Sequence, residues 1–280
     1  MNRWRLRRRA AGAAIYLGAG LLVLQAAFPF AWMASTSLKP PGEVFAQPPS
    51  FVPAAPTLDN FHRLFTGTTF LVYFWNSVLV SGLAVLLTTA VGAAGAYSLT
   101  RYRYPGREKI AVLVLCTYMF APIMVVIPFF ILVKRVGLEN THLALVLAFT
   151  SFCLPFTLWL MRAFFQTIPI ELEEAALVDG AGRVRAVLHV VLPLALPGII
   201  ATSIFTFILA WNDYVFTRIL ISSDRLKTLP VGVQDLFHAA LIDWGLIMAA
   251  GTMITIPALV FFVAVQRYLI RGWGAGAVKG

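Results

Sequence analysis

The chain has 280 residues, 60% of them hydrophobic and 12% charged, and a mean hydropathy of +0.83. A soluble domain carries about 25% charged residues, so a water-exposed globule is excluded and the question becomes how often the chain crosses a bilayer. The net charge of +10 comes without the interleaved aromatic and basic residues that grip single-stranded nucleic acid, and it fits the basic cytoplasmic loops of membrane proteins instead.

Residues 1–10, with Arg3, Arg5, Arg7, Arg8 and Arg9, form a basic N-terminus. The uncharged run Ala11–Met33 follows. It reaches the roughly 20 apolar residues of a span and exceeds the roughly 7–15 of a cleaved signal, so residues 11–37 read as an uncleaved first transmembrane helix. Residues 38–69 carry Pro40, Pro41, Pro48, Pro49, Pro53 and Pro56. They read as an extended external strap with a short helix around Leu58–Phe65, capped by Thr57. Five further apolar runs follow: Phe70–Thr100, Ile110–Val133, Leu143–Met161, Gly198–Asn212 (short unless it continues to about Ile221) and Trp244–Gln266. Lipid offers no partner to backbone N–H and C=O groups, so such runs fold as helices or closed barrels. A barrel would alternate in polarity, and these runs are apolar throughout. Cys116 and Cys153 lie inside them without a CxxC spacing, which indicates neither a metal site nor a disulfide framework.

The expected fold is therefore an all-α membrane protein of six transmembrane helices, with its core at residues 70–268 and a tail at 269–280. With the N-terminus inside, the inner segments hold most of the 22 Lys and Arg residues: the N-terminal arginines, then Arg101, Arg103, Arg107, Lys109, Arg162, Arg183, Arg185, Arg267, Arg271 and Lys279. That bias places both termini in the cytoplasm.

The longest inner excursion, from Arg162 to about Leu196, has its own helical signals. Pro169 suits a first helical turn, Glu171, Glu173 and Glu174 favour its positive end, and Gly180 and Gly182 are stop residues. Val184, Val187, Leu188, Val191 and Leu192 then form one amphipathic stripe, which Pro193 and Pro197 end. Residues 167–196 thus read as two short helices joined by a turn. They are either an interfacial element packed on the spans or a docking element for a cytoplasmic partner.

Glu174-Ala175-Ala176, three residues, Gly180, nine residues and Val190-Val191-Leu192-Pro193 resemble the EAA signature of binding-protein-dependent ABC importer permeases: Glu-Ala-Ala, three, Gly, nine, Ile-x-Leu-Pro. Val190 for Ile is the one departure. The strap, Ala210-Trp211-Asn212-Asp213 and the Gly-Ala-rich tail extend the resemblance to the carbohydrate importers of this type over nearly the whole chain.

The resemblance implies a type I importer permease in a bacterial cell membrane. It implies a second permease as heterodimer partner, two copies of a cytoplasmic ABC ATPase, and an extracytoplasmic solute-binding protein. The solute would be a sugar or oligosaccharide, or a glycerol-phosphate ester. Glu174, Ala175, Ala176, Asp179, Gly180, Leu192 and Pro193 would couple the chain to the ATPase, and the tail would reach it. The sequence contains no GxxxxGK[ST] loop, so ATP and Mg would sit on the partner, with no cofactor bound here and no catalysis by this chain.

For the solute path the sequence offers Asn76, Trp211, Asn212 and Asp213. An ionisable residue within a span lines an interior or a water-filled cavity, although Asp213 reads equally as interfacial helix support and Asn76 as a cap. Met119, Phe120, Phe129 and Phe130 either stack a sugar or pack in the bundle. Gln234, Asp235, Phe237 and His238 are candidate contacts for the binding protein. An ion-coupled transporter is the alternative, but it would want paired intramembrane acids or a broken helix near the midplane.

Overall fold

The computed structural model describes residues 2–237 and 242–274, with side chains for residues 12–237 and 242–266. Among the described residues every regular element is helical. The chain divides into two units, Met1–Phe70 with Asp235–Ile256, and Leu71–Gln234 with Pro257–Gly280.

In the first unit, α1 (Asn2–Ser37) starts within the basic N-terminus rather than after it. Arg, Leu and Ala are all good helix formers, so nothing there stops the helix. Its middle residues Leu17, Leu21 and Leu24 are exposed, as suits a helix that meets lipid. The proline-rich strap is pinned by polar contacts. The Asn60 side chain donates to the carbonyls of Ser37 and Lys39, both at 2.8 Å. Lys39 is fully buried, donates to Ser50 O at 2.5 Å and lies 4.8 Å from the centre of the Trp32 ring. The strap helix α2 runs Asp59–Gly67, and Thr57 Oγ1 accepts from Asp59 N at 3.1 Å. Arg63 bridges Asp59 at 3.0 Å and Asp243 at 2.5 Å. Burial pushes the Asp243 carboxyl up, but the Leu246 N–H and the Arg63 guanidinium outweigh it and hold the group below the usual carboxylate range.

Besides the single turns Pro41–Val44 and Asp224–Leu226, the remaining helices are α3 (Phe70–Arg101), α4 (Arg107–Thr117), α5 (Pro122–Arg135), α6 (His142–Thr167), α7 (Ile170–Val178), α8 (Arg183–Leu194), α9 (Leu196–Trp211), α10 (Val215–Leu220), α11 (Leu229–Leu236) and α12 (Trp244–Gly274). Four helices are long and apolar enough to cross a membrane: those over Gly12–Ser37, Phe70–Arg101, His142–Thr167 and Trp244–Gln266. The count reaches six when each of the bent pairs α4–α5 and α8–α9 is one span.

Four expectations need correction. The third run is not one straight helix: α4 and α5 meet at 101°. Pro122 lacks an N–H and holds Ala121 in the extended region, at φ −61° and ψ 134°, where a helix cannot continue. The fifth run does not reach Ile221 as one helix. It ends at Trp211, and α10 starts separately at Val215. The single stripe on the second hairpin helix is also broken. Leu192 N bonds Val187 O, five residues back, so α8 widens into a π turn over Val187–Val191. Pro193 explains this, because its ring clashes with the carbonyl four residues earlier. The wider turn aligns Ala186 with Val191, and both are fully buried, while Val184 and Leu188 are exposed. The last helix extends to Gly274, into the segment read as tail, and residues 275–280 lie outside the described residues.

Small residues set the contact between α3 and α6. A Cβ on Gly92 would lie 2.5 Å from Thr157 Cγ2, and one on Gly95 would lie 3.2 Å from Leu158 Cδ1. Small side chains are what let membrane helices approach closely. Beneath the α7–α8 hairpin, Ala93 and Ala96 of α3 pack with Met161 and Phe165 of α6 and with Val191 and Ala195.

Candidate functional site

The hairpin α7–turn–α8 is built around one left-handed residue. Gly180 has φ +86°, a conformation that only glycine adopts without strain. Gly180 N bonds Leu177 O at 3.1 Å and Ala181 N bonds Ala176 O at 3.0 Å. These are the two bonds of a Schellman motif, which ends α7 and turns the chain back.

The hairpin has an outward and an inward side. Glu174, Ala175, Asp179 and Gly180 are exposed, Ala176 is half-buried, and Val178 at the tip is 87% exposed. Its neighbours there, Glu174 and Asp179, are exposed acids, so the tip is open and acidic. Leu192 packs against the cluster under the hairpin, whereas Pro193 is exposed just before the 76° bend into α9.

The inward side holds Glu173, which the sequence offered only as an acid at the start of a helix. Glu173 is 7% exposed. Its Oε1 accepts from the Tyr97 hydroxyl of α3, and its Oε2 forms an ion pair with Arg101 Nε at 3.2 Å, off the line of a hydrogen bond. Arg101 also donates to Ile168 O, just before α7, at 2.9 Å. Nearby, the Arg183 guanidinium lies 5.4 Å from the centre of the Tyr102 ring. Removing one partner of a buried pair strands the other charge, at about 3–5 kcal/mol. The only sequence signal was position: successive residues turn about 100° on a helix, so Glu173 and Glu174 cannot share a face. A groove of about 490 Å³ opens beside this joint, lined in part by Tyr97, Tyr102, Arg183, Val184 and Leu188. A second buried arginine, Arg162, grips Glu108 with both carboxylate oxygens at 2.7 and 2.8 Å and so ties α4 to α6.

The other candidates are not gathered in one place. Asn76 donates to the carbonyls of Arg225 and Lys227, at 2.8 and 2.9 Å, and so fastens the segment after α10 to α3. Trp211 is buried, stacks on Phe207 at 5.3 Å and meets Phe74 edge-on at 6.1 Å. Its indole N–H has no partner among the described residues. Asn212 is exposed and its amide donates to Ile208 O at 2.9 Å, closing α9. Asp213 is half-buried and accepts from Phe216 N at 3.2 Å, Thr217 N at 3.0 Å and Thr217 Oγ1 at 3.2 Å. It thereby caps α10. A cavity of about 660 Å³ at the α4–α5 break is lined by Tyr118, Met119, Phe120, Phe129, Ser151 and Phe152 among others. Phe130 packs on the core instead. Gln234 and Phe237 are exposed, Asp235 is half-buried, and His238 lies outside the described residues.

The profile of the family described as "Binding-protein-dependent transport system inner membrane component" matches residues 89–274, the stretch that contains the hairpin. The chain belongs to this family. It is an ABC importer permease, a multi-pass protein of the cell's inner membrane. The permease is 35% identical to the inner membrane ABC transporter permease protein YcjP of Escherichia coli, over 95% of each chain. It is 34% identical to the trehalose/maltose transport system permease protein MalG of Thermococcus litoralis, over 95% of this chain and 96% of that one. A solved bacterial ABC transporter involved in the import of alginate contains a chain of the same fold, with a TM-score of 0.82 at 23% identity over 93% of this permease and 96% of that chain.

Proposed function

We propose that this permease is one of two different membrane subunits of an importer that moves a sugar or oligosaccharide inward by alternating access, with a glycerol-phosphate ester as the variant solute. The bent pairs α4–α5 and α8–α9 each make one span, giving six with both termini cytoplasmic, as the distribution of basic residues supports. Two copies of a cytoplasmic ATPase hold and hydrolyse ATP with Mg, and an extracytoplasmic binding protein delivers the solute. The observation that carries this reading is the outward side of the hairpin. Glu174 pairs with a basic group on the ATPase, Ala175 and Ala176 allow close approach, and Gly180 makes the turn. Asp179 completes the acidic tip, and Leu192-Pro193 set the hairpin on the fifth span. Closure of the ATPase dimer is then carried to the spans as a rigid-body change between two states. The relative named for trehalose and maltose supports the sugar class.

The test is purification of the tagged permease from its own membrane in mild detergent, with the co-eluting proteins identified. An ATPase and a second permease are expected. Recovery of the chain alone from a membrane that contains both would overturn the reading. In the complex, Glu174→Lys is expected to abolish uptake while the chain still inserts, and normal uptake by that variant would remove Glu174 from the docking surface.

A further inference from the structure

Helix α3 is fastened by polar joints at both ends. At its inner end Tyr97 and Arg101 hold the buried Glu173 of the coupling hairpin, and Arg101 also holds Ile168 O. At its outer end Asn76 holds the carbonyls of Arg225 and Lys227, and Ser77 Oγ accepts from Leu229 N at 2.8 Å. Tyr97 and Asn76 are 21 residues apart on one continuous helix, or about 32 Å at 1.5 Å per residue. That is about the 30 Å thickness of a bilayer's hydrocarbon core. Of the four helices long enough to span, α3 alone contains no proline, and proline is the commonest cause of a sharp kink.

We infer that α3 is the connecting rod of this permease, with Glu173 and Asn76 as the positioning residues that tie its two ends to the hairpin and to the outer segment Arg225–Leu229. The inference rests on the reading above, in which the hairpin docks an ATPase. The chain itself leads from the hairpin only into α6 and α9, through Thr167 and Leu196. Glu173 adds α3 to that moving body. A buried ion pair gives little net stability compared with apolar packing of the same shape, but it is directional. The Tyr97–Glu173–Arg101 joint resists sliding along the helix axis, which the alanines Ala93 and Ala96 beside it cannot do. Movement of the hairpin therefore reaches the outer segment without passing through the bent pairs, and occupancy on the outer side reaches the hairpin by the same rod.

The experiment uses the whole transporter in liposomes, with its binding protein and solute. The readouts are the ATPase recovered with the tagged permease, and the factor by which loaded binding protein stimulates ATP hydrolysis. In the wild type, recovery of the ATPase and stimulation establish the parent reading; if those fail, the docking assignment is wrong whatever α3 does. Given them, Glu173→Gln and Asn76→Ala should each leave the ATPase attached and cut the stimulation about five-fold or more, the lower range of an allosteric coupling. Glu173→Asp should keep most of it. The two joints act in series, so the double variant should be no worse than the worse single one. Unchanged stimulation in an intact single variant overturns the proposal, and so does a double variant whose loss is the product of the single losses, which is the behaviour of independent sites. If Glu173→Gln releases the ATPase, the exchanged pair Arg101→Glu with Glu173→Arg decides: restored stimulation supports the joint, and restored attachment without stimulation refutes it.

Discussion

Two glycines on α3 allow a stringent test of the packing. A methyl group on Gly92 would sit 2.5 Å from Thr157 Cγ2 and 3.2 Å from Thr157 Cβ, whereas one on Gly82 would meet nothing within 4 Å. Carbon atoms in contact prefer about 3.5–4.0 Å, so Gly92→Ala forces α3 and α6 apart by about 1 Å or turns a stiff β-branched side chain. Such overpacking costs about 1–3 kcal/mol. Both substitutions also gain about 0.5–1 kcal/mol from replacing glycine within a helix. Gly82→Ala should therefore stabilise by about that amount, and the gap between the two variants should be about 1–3 kcal/mol, because the helix gain cancels. The assay is reversible unfolding of the purified permease in mixed micelles, titrated with sodium dodecyl sulfate and followed by circular dichroism. Thr157→Ser removes the clashing methyl, so it should recover most of the loss in a double-mutant cycle. Equal shifts for Gly82→Ala and Gly92→Ala, or no coupling between Gly92→Ala and Thr157→Ser, would refute the close approach of α3 and α6.

Three further outcomes are expected. Asn76→Ala removes the hydrogen bonds to the carbonyls of Arg225 and Lys227, about 0.5–1.5 kcal/mol each, and should speed tryptic cleavage after those residues; an unchanged cleavage rate would deny that Asn76 holds the segment. Trp211→Phe keeps the stacking on Phe207 and discards an N–H that has no partner among the described residues. Trp211 is also fully buried, so the smaller ring leaves a cavity and the variant should lose about 1–3 kcal/mol; no loss would deny that the indole is packed in the core. The folded-state pKa of Asp243 is depressed, so its contribution is present above the unfolded carboxylate value of about 3.9 and is lost as pH falls through the lower folded value. The thermal midpoint should drop between about pH 5 and pH 3, and Asp243→Asn should lessen the drop; an identical pH profile in the variant would break the link to Arg63.

The spans were legible because lipid imposes one requirement on every residue of a run, so composition alone reveals Phe70–Arg101 to within a residue. The breaks were less legible. Pro122 was visible inside the third run, yet proline is tolerated within membrane helices, as Pro155 shows in α6. The chain is extended at Ala121 before Pro122 and helical before Pro155, and the two prolines look alike in the sequence. The π turn was invisible for a related reason. Val184, Val187, Leu188 and Val191 fit a period of 3.6 on paper, and the clash from Pro193 displaces that period by one residue. Asn76 and Asp213 were singled out because polar residues beside a span are costly. Their partners are the carbonyls of Arg225 and Lys227 and the amides of Phe216 and Thr217, backbone groups that carry no mark in a sequence.

The α7–α8 hairpin divides along the same line. The spacing from Glu174 through Gly180 to Pro193 is local, so a signature can carry it: Glu174 faces outward, Gly180 turns the chain, and Val191 and Leu192 pack beneath. Glu173 stands one residue away and is held by Tyr97, which lies 76 residues earlier, and by an arginine that composition offered only as one positive charge among many. Nothing in the local pattern distinguishes a carboxylate aimed at solvent from one aimed at α3. The distinction is physical: the one buried residue of α7 is Glu173, which meets α3, and a buried carboxylate persists only where a cation and a hydroxyl receive it. Leucine at 173 would fill the same space without that requirement. The acid, the arginine and the tyrosine therefore specify where α7 sits along α3.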